Sequence, residues 1–204
     1  SAEQFAHGQT DPDERALILR LPQLFVALQG LPAGDLADVQ AVLKRIVRGQ
    51  CLDLVRFQAG GPPRALPAAP ALPESTDLVA GPVGEFWTDL CVRHLRDYAS
   101  LPAAQMRALG RSFGCGLQLV NIVRDAGMDL ANGRCYFPAD RLAAAGVDAA
   151  DIARAPQRFI PVWRRWQALA ARGMDDGMAY ALAVRSRRQR AAVAPPALLG
   201  ARTL

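Results

Sequence analysis

Residues 118–138 read Gln118-Leu-Val-Asn121-Ile-Val-Arg124-Asp125-Ala-Gly-Met-Asp129-Leu-Ala-Asn-Gly133-Arg134-Cys-Tyr136-Phe-Pro138. Asn121, Asp125 and Asp129 recur every four residues, and Gln118 lies three before Asn121. At helical pitch these four polar groups form one stripe. The rest of the stretch from Phe113 to Leu130 is mostly apolar, so the spacing predicts a buried helix. Buried carboxylates are costly unless they are paired, hydrogen-bonded or bound to metal. Two aspartates at i, i+4 on an inward face therefore point to a hard cation such as Mg²⁺, and through it to a phosphate ligand. The alternative is a solvated polar face in which Arg124 pairs with a neighbouring acid. That alternative leaves Gly133-Arg134-x-Tyr136-x-Pro138 unexplained. Gly133 suits a left-handed helix stop, which sets Arg134 just past the carboxylates.

Working outward, the periodic segments are nearly all helical. Asp11-Pro12-Asp13-Glu14 has the form of a helix start, and Pro22 breaks or restarts that helix. Asp35 is placed to cap the next one, whose apolar face runs toward Phe57. Residues 58–74 hold five prolines and two glycines and read as a loop or lid. Helices are predicted from about Ser75 to Tyr98, Ala103 to Leu130 and Arg158 to Leu182. A basic terminal segment from Arg185 is interrupted by Pro195 and Pro196. No alternating strand pattern and no internal repeat is visible. The fold class is all-α, with residues 1–204 as one domain.

Composition narrows the functional classes. Hydrophobic residues make up 51% of the 204, too many for a disordered chain. The apolar runs are broken by charge well short of a membrane span. The net charge is +5, and Lys44 is the one lysine, so the basic charge is almost all arginine, which suits planar contact to phosphate. Those arginines are interleaved with acids and no nucleic-acid motif is present, which argues against nucleic acid as a partner. Cys51, Cys91, Cys115 and Cys135 lack Cys-x-x-Cys spacing, so a zinc site or disulfide framework is not expected. A reducing cytosol is the natural compartment, with peripheral membrane association left open.

The motif at 121–138 resembles the second aspartate-rich motif of the squalene/phytoene synthase family. Val79-Ala80-Gly81-Pro82-Val83-Gly84 is similar to that family's Val-Ala-Gly-x-Val-Gly helix. Arg188-Gln189-Arg190 with Pro196 and Leu199–Leu204 resembles the C-terminal helix of bacterial members. The three segments occur in family order. The resemblance implies an isoprenoid-synthase bundle around a central cavity, incomplete at its N-terminus. It implies a prenyl-diphosphate transferase that condenses two farnesyl or geranylgeranyl diphosphates head to head, with Mg²⁺ assisting loss of diphosphate. NADPH would be needed if the product is squalene. On this reading Asp125, Asp129 and Asn121 hold the metal, and Arg124 joins the two aspartates in catalysis. Gln118, Asn121, Arg134, Tyr136 and Arg190 bind substrate. Solvated-face or packing alternatives stand beside Arg188, Arg190, Tyr136 and Asn121.

Three departures qualify the resemblance. The family pairs two aspartate-rich motifs on facing helices, and this chain carries only the second. Ser75 stands where the family usually has a tyrosine implicated in rearrangement, and Asp77 where another aromatic is common. Pro82 is unusual inside the Val-Ala-Gly helix and should kink it. A start at Ser1 and an end in mid-motif at Leu204 suggest a partial chain. The alternatives are a non-catalytic family member acting in binding or assembly, and a helical interaction domain with an ordinary acidic surface. Glu85, Asp89, Arg93 and Asp97 read as a solvated, salt-bridged stripe. Asp53, in Gly49-x-x-x-Asp53-Leu54, is a modest match to a family aspartate.

Overall fold

The proline and aspartate signals near the N-terminus act as helix punctuation. The computed structural model describes residues 2–57, 61–68 and 71–204. Helix α1 spans Ala2–His7, α2 Pro12–Leu19 and α3 Leu21–Gln29. The Asp11 carboxylate caps α2, accepting from the N–H groups of Asp13 at 2.8 Å and Glu14 at 3.1 Å. Pro22 sits in the first turn of α3, where its missing N–H costs nothing. Arg15 donates to the Ala6 and Gln9 carbonyls and ties α2 back to α1. Helix α4 spans Ala33–Arg56, so Asp35 lies inside its first turn rather than capping it. The chain divides into two compact units, Ser1–Ala41 and Val42–Leu204.

The second unit is built on α7. Strand β1 is Arg64–Leu66, α5 Ala71–Val79, α6 Gly81–His94 and α7 Ala103–Arg124. They are followed by α8 Ala126–Ala131, β2 Arg134–Pro138, α9 Ala139–Ala144, α10 Pro156–Ala183 and α11 Arg187–Thr203. Helices α6 and α10 pack along α7. Small residues set these approaches. A Cβ on Gly84 would collide with the Gly110 carbonyl, and Gly116 meets Gly173 backbone to backbone. The helix expected over 75–98 is therefore two, broken at Ala80. Pro82 opens α6 in its first turn instead of kinking a longer helix.

Two strands appear where none was expected. Within the predicted 58–74 loop, residues 58–60 and 69–70 lie outside the described residues, while 64–66 form β1 and 71–73 begin α5. Gly133 adopts φ 77°, stops the helix and turns the chain into β2. There Cys135 and Phe137 point inward. The strands pair in parallel with Arg64 opposite Arg134, and the register slips between Ala65 and Leu66. The pair is too short to show as alternation in sequence.

The terminal segment also differs from expectation, because α11 runs through both prolines. Pro195 and Pro196 are exposed, as are Ala191 and Ala192, whose carbonyls lose their helical donors on that side. Val193, Ala197 and Gly200 are buried on the opposite side, so packing maintains the helix. The acidic stripe on α6 makes ion pairs with neighbouring helices. Glu85 contacts Arg45 at 3.4 Å and Arg111 at 3.3 Å, and Asp89 contacts Arg107 at 3.1 Å. Asp97 lies beyond α6 at φ 50°. No helix among the described residues is long and apolar enough to cross a membrane.

The glycine contact gives a direct test of this packing. Gly84→Ala forces backbone against backbone and should cost about 2–3 kcal/mol, lowering Tm by roughly 4–12 °C. Gly127→Ala faces open space and should be neutral or slightly stabilising. Thermal unfolding of both variants makes the comparison, and equal Tm values would contradict the close crossing of α6 and α7.

Candidate functional site

The polar stripe survives a break in its helix. Asp125 terminates α7 at φ −94°, ψ 8°, and α8 starts at the next residue. The helical hydrogen bonds nevertheless continue, from Asp125 N–H to the Asn121 carbonyl at 2.8 Å and from Asp129 N–H to the Asp125 carbonyl at 2.9 Å. The i, i+4 register therefore carries across the junction. Gln118, Asn121, Asp125, Asp129, Arg134 and Tyr136 line one cavity of about 420 Å³, together with Ile122 and Met128. The stripe is not sealed in a core, as a wholly apolar helix would require. Asn121 is exposed, and the side chains of Asp125 and Asp129 retain 43% and 17% of their accessibility. The buried apolar residues of this part of α7 are Leu119, Val120, Ile122 and Val123, of which Ile122 also borders the cavity.

The two carboxylates sit in different fields. Arg124 donates hydrogen bonds to both oxygens of Asp125, at 2.7 and 2.6 Å, and holds that carboxyl below the ordinary carboxylate range. Burial pushes the Asp129 carboxyl up, and the nearby charges of Asp125 and Asp53 add to this, while Arg134 opposes it from 3.4 Å. A carboxyl raised in the folded state lowers stability as pH climbs from about 4 through its folded pKa. Asp129→Asn removes that loss. The variant should equal wild type in stability near pH 3 and exceed it by a constant margin at neutral pH, without ligand. Urea unfolding across this range checks the sign, and a neutral-pH deficit in the variant would contradict it.

A second cavity joins the first. Val79, Ala80, Val83, Gly84 and Trp87 from α5 and α6 face Gly110, Phe113, Gly114 and Leu117 of α7 across an apolar groove of about 420 Å³. Tyr180, Val193 and Pro196 complete its wall. Gln118 and Asn121 line both the groove and the polar cavity. The Val79–Gly84 motif thus lines an apolar groove and the aspartate motif a polar cavity, and the two share Gln118 and Asn121.

Two predicted residues stand apart from these cavities. Arg190 donates through Nε and Nη2 to the Val184 carbonyl, at 3.1 and 2.7 Å, and so caps the end of α10. Arg124 is half exposed and turned onto Asp125. Conversely, Asp53 comes closer to the site than its modest motif match implied. Its Oδ2 accepts from the Tyr136 hydroxyl at 3.0 Å. Burial pushes its carboxyl up, while the Tyr136 hydrogen bond, Arg56, Arg134 and the nearby Ser75 hydroxyl favour its charged form. The signal in sequence was Gly49, four residues earlier. It has no room for a side chain against Val79, and so admits α4 to the α5 wall.

The squalene/phytoene synthase family model matches residues 10–204. A bifunctional lycopene cyclase/phytoene synthase of Leptosphaeria maculans is 32% identical over 142 residues, 68% of this chain and 22% of that protein. A 4,4'-diapophytoene synthase of Staphylococcus haemolyticus is 36% identical over 80 residues, 38% of this chain and 28% of its own length. The chain therefore spans less than a third of the curated relatives it matches. Among solved structures, a complex of TcSQS with the ligand BPH1237 superposes with TM-score 0.79 at 20% identity, covering 96% of this chain and 56% of that one. The squalene synthase HpnC of Alicyclobacillus acidocaldarius gives TM-score 0.63 at 22% identity over 98% of this chain and 66% of its own. At such identities the structures speak to the fold alone, and they give an isoprenoid-synthase-like all-α arrangement. With the family model matching nearly the whole chain, the conclusion is that this chain belongs to the squalene/phytoene synthase family.

Proposed function

We propose that the polar cavity binds the diphosphate of a prenyl diphosphate with Mg²⁺, and that the apolar groove takes its hydrocarbon tail. The reaction class is head-to-head condensation of two farnesyl or geranylgeranyl diphosphates with loss of diphosphate. The observation that carries this reading is that Gln118 and Asn121 line both a carboxylate-bearing cavity and an apolar groove. The donor set is all hard oxygen, two carboxylates and two amide carbonyls, which fits Mg²⁺. Bound there, the cation supplies charge neutralisation to the departing diphosphate. Asp125 and Asp129 would hold it. Arg134, at the cavity edge, offers a planar guanidinium to phosphate oxygens, and Tyr136 closes the same wall. Arg124 keeps Asp125 ionised. NADPH enters only if the product is squalene.

A second reading, a non-catalytic member that binds prenyl diphosphate without turning it over, is favoured by Ser75. That residue is buried and lies near Asp53, at the position where the family usually has tyrosine. Both readings require the same ligand. Mg²⁺ with a non-hydrolysable farnesyl thiolodiphosphate at 100 times its Kd should add about 2.7 kcal/mol of stability and raise Tm by roughly 5–11 °C. No shift with metal and analogue together, at any concentration up to millimolar, would exclude both. Turnover of authentic substrate separates them.

A further inference from the structure

We propose that Asp53 is a positioning residue of this site: by accepting the hydrogen bond of the Tyr136 hydroxyl, it leaves Tyr136 a hydrogen-bond acceptor toward the cavity. The inference rests on the reading of the cavity as a Mg²⁺–diphosphate site. A phenol has one proton to donate, and a carboxylate only accepts. The Tyr136 hydroxyl donates to Asp53 Oδ2 at 3.0 Å, across 83 residues of sequence. Burial, with the negative charge of Asp53, pushes the phenol well above its ordinary range, so it keeps that proton. What remains on Oη is a lone pair, and Tyr136 lines the cavity together with Asp125 and Asp129.

The pair is fixed from both sides. Phe57 packs edge-on against the Tyr136 ring, with centroids 5.0 Å apart. Gly49 lets α4 lie against Val79 and Leu78 of α5, which brings Asp53 to the site one turn later. Asp53 Oδ1 and Arg56 Nη1 are buried with no hydrogen-bond partner among the described residues.

The consequence is a division of labour. Phosphate oxygens are acceptors, and an acceptor-only Tyr136 cannot donate to them. The hydration shell of a divalent cation is rich in donors, and such an acceptor suits it. Tyr136 would thus support the hydrated metal, while Arg134 serves phosphate. This differs from the simple assignment of Tyr136 as a phosphate donor.

The test is calorimetric titration of the 204-residue chain with inorganic pyrophosphate, with Mg²⁺ and with EDTA, for wild type, Tyr136→Phe, Asp53→Ala and Asp53→Asn. Circular dichroism confirms that each variant is folded. Tyr136→Phe and Asp53→Ala should each lose about tenfold of the Mg²⁺-dependent gain in affinity, and keep metal-free affinity within about twofold. Asp53→Asn, whose amide oxygen still accepts the phenol proton, should keep most of the gain. A merely structural role would lower Tm without splitting metal-dependent from metal-free binding. The proposal is overturned alone if Asp125→Ala with Asp129→Ala abolishes the gain while Tyr136→Phe and Asp53→Ala retain it. It is equally overturned if Tyr136→Phe weakens metal-free binding tenfold. A wild type with no Mg²⁺-dependent gain removes the metal-site reading and this proposal together.

Discussion

Asp125→Ala combined with Asp129→Ala is expected to abolish the thermal stabilisation by Mg²⁺ and farnesyl thiolodiphosphate while leaving the unliganded fold intact. Neither carboxylate supports the core. The Asp125 carboxylate bonds the exposed guanidinium next to it, and Asp129 meets Arg134 at 3.4 Å, with Arg134 itself 44% accessible. Pairs this exposed contribute little to stability, because solvent screens them. Relief of Asp129 from its raised, partly buried setting offsets part of that loss. The ligand effect is different in kind. A hard cation held by two protein carboxylates loses both, and phosphate alone meets a cavity whose remaining charged group is Arg134. The measurement is Tm with and without metal and analogue, for wild type and double variant. A shift of equal size in both would show that the ligand binds elsewhere.

The legible part of this chain is the part governed by local chemistry. Asp11 capping α2 and Gly133 stopping α8 each follow from one residue and its neighbours. The spacing of Gln118, Asn121, Asp125 and Asp129 placed them together because helical hydrogen bonding persists across the α7–α8 break. Family motifs added the apolar side, since Val79–Gly84 says nothing by itself about which helix it meets. Other features depend on partners distant in sequence. Strand β1 exists because β2 lies beside it, and neither is long enough to show a period. Helix α11 continues through Pro195 and Pro196 because Val193, Ala197 and Gly200 bury the other face. Arg190 sits in a basic run that matches a family pattern, yet its guanidinium is drawn to an orphan carbonyl at the end of α10. Asp53 was the reverse case. Its importance arises from Tyr136, 83 residues away; Gly49 marks a close approach of α4, but not the partner that Asp53 meets.

The 204-residue chain is expected not to make squalene at a useful rate, although it belongs to a family of condensing enzymes. Joining two prenyl diphosphates head to head releases two diphosphates and passes through allylic and cyclopropylcarbinyl cations. Most of the rate must come from electrostatic stabilisation of the leaving group and of those cations. In this chain the polar cavity presents one i, i+4 carboxylate pair, and among the described residues no group of three or more acidic, histidine or cysteine side chains is arranged to hold a metal ion. A single pair can bind a cation but cannot neutralise two diphosphates from facing walls. Each tenfold in rate corresponds to about 1.36 kcal/mol of barrier, so losing several charged contacts together costs many powers of ten. The later cation step is expected to be slow as well, because Ser75, standing where the family usually has tyrosine, offers a hydroxyl and no π-face. The measurement is incubation of purified chain with radiolabelled farnesyl diphosphate, Mg²⁺ and NADPH, followed by extraction of apolar products. Binding without turnover is the expected result. Squalene or its cyclopropyl precursor forming at roughly 1 s⁻¹ or faster would show that one carboxylate pair is enough, and that Ser75 does not limit the rearrangement.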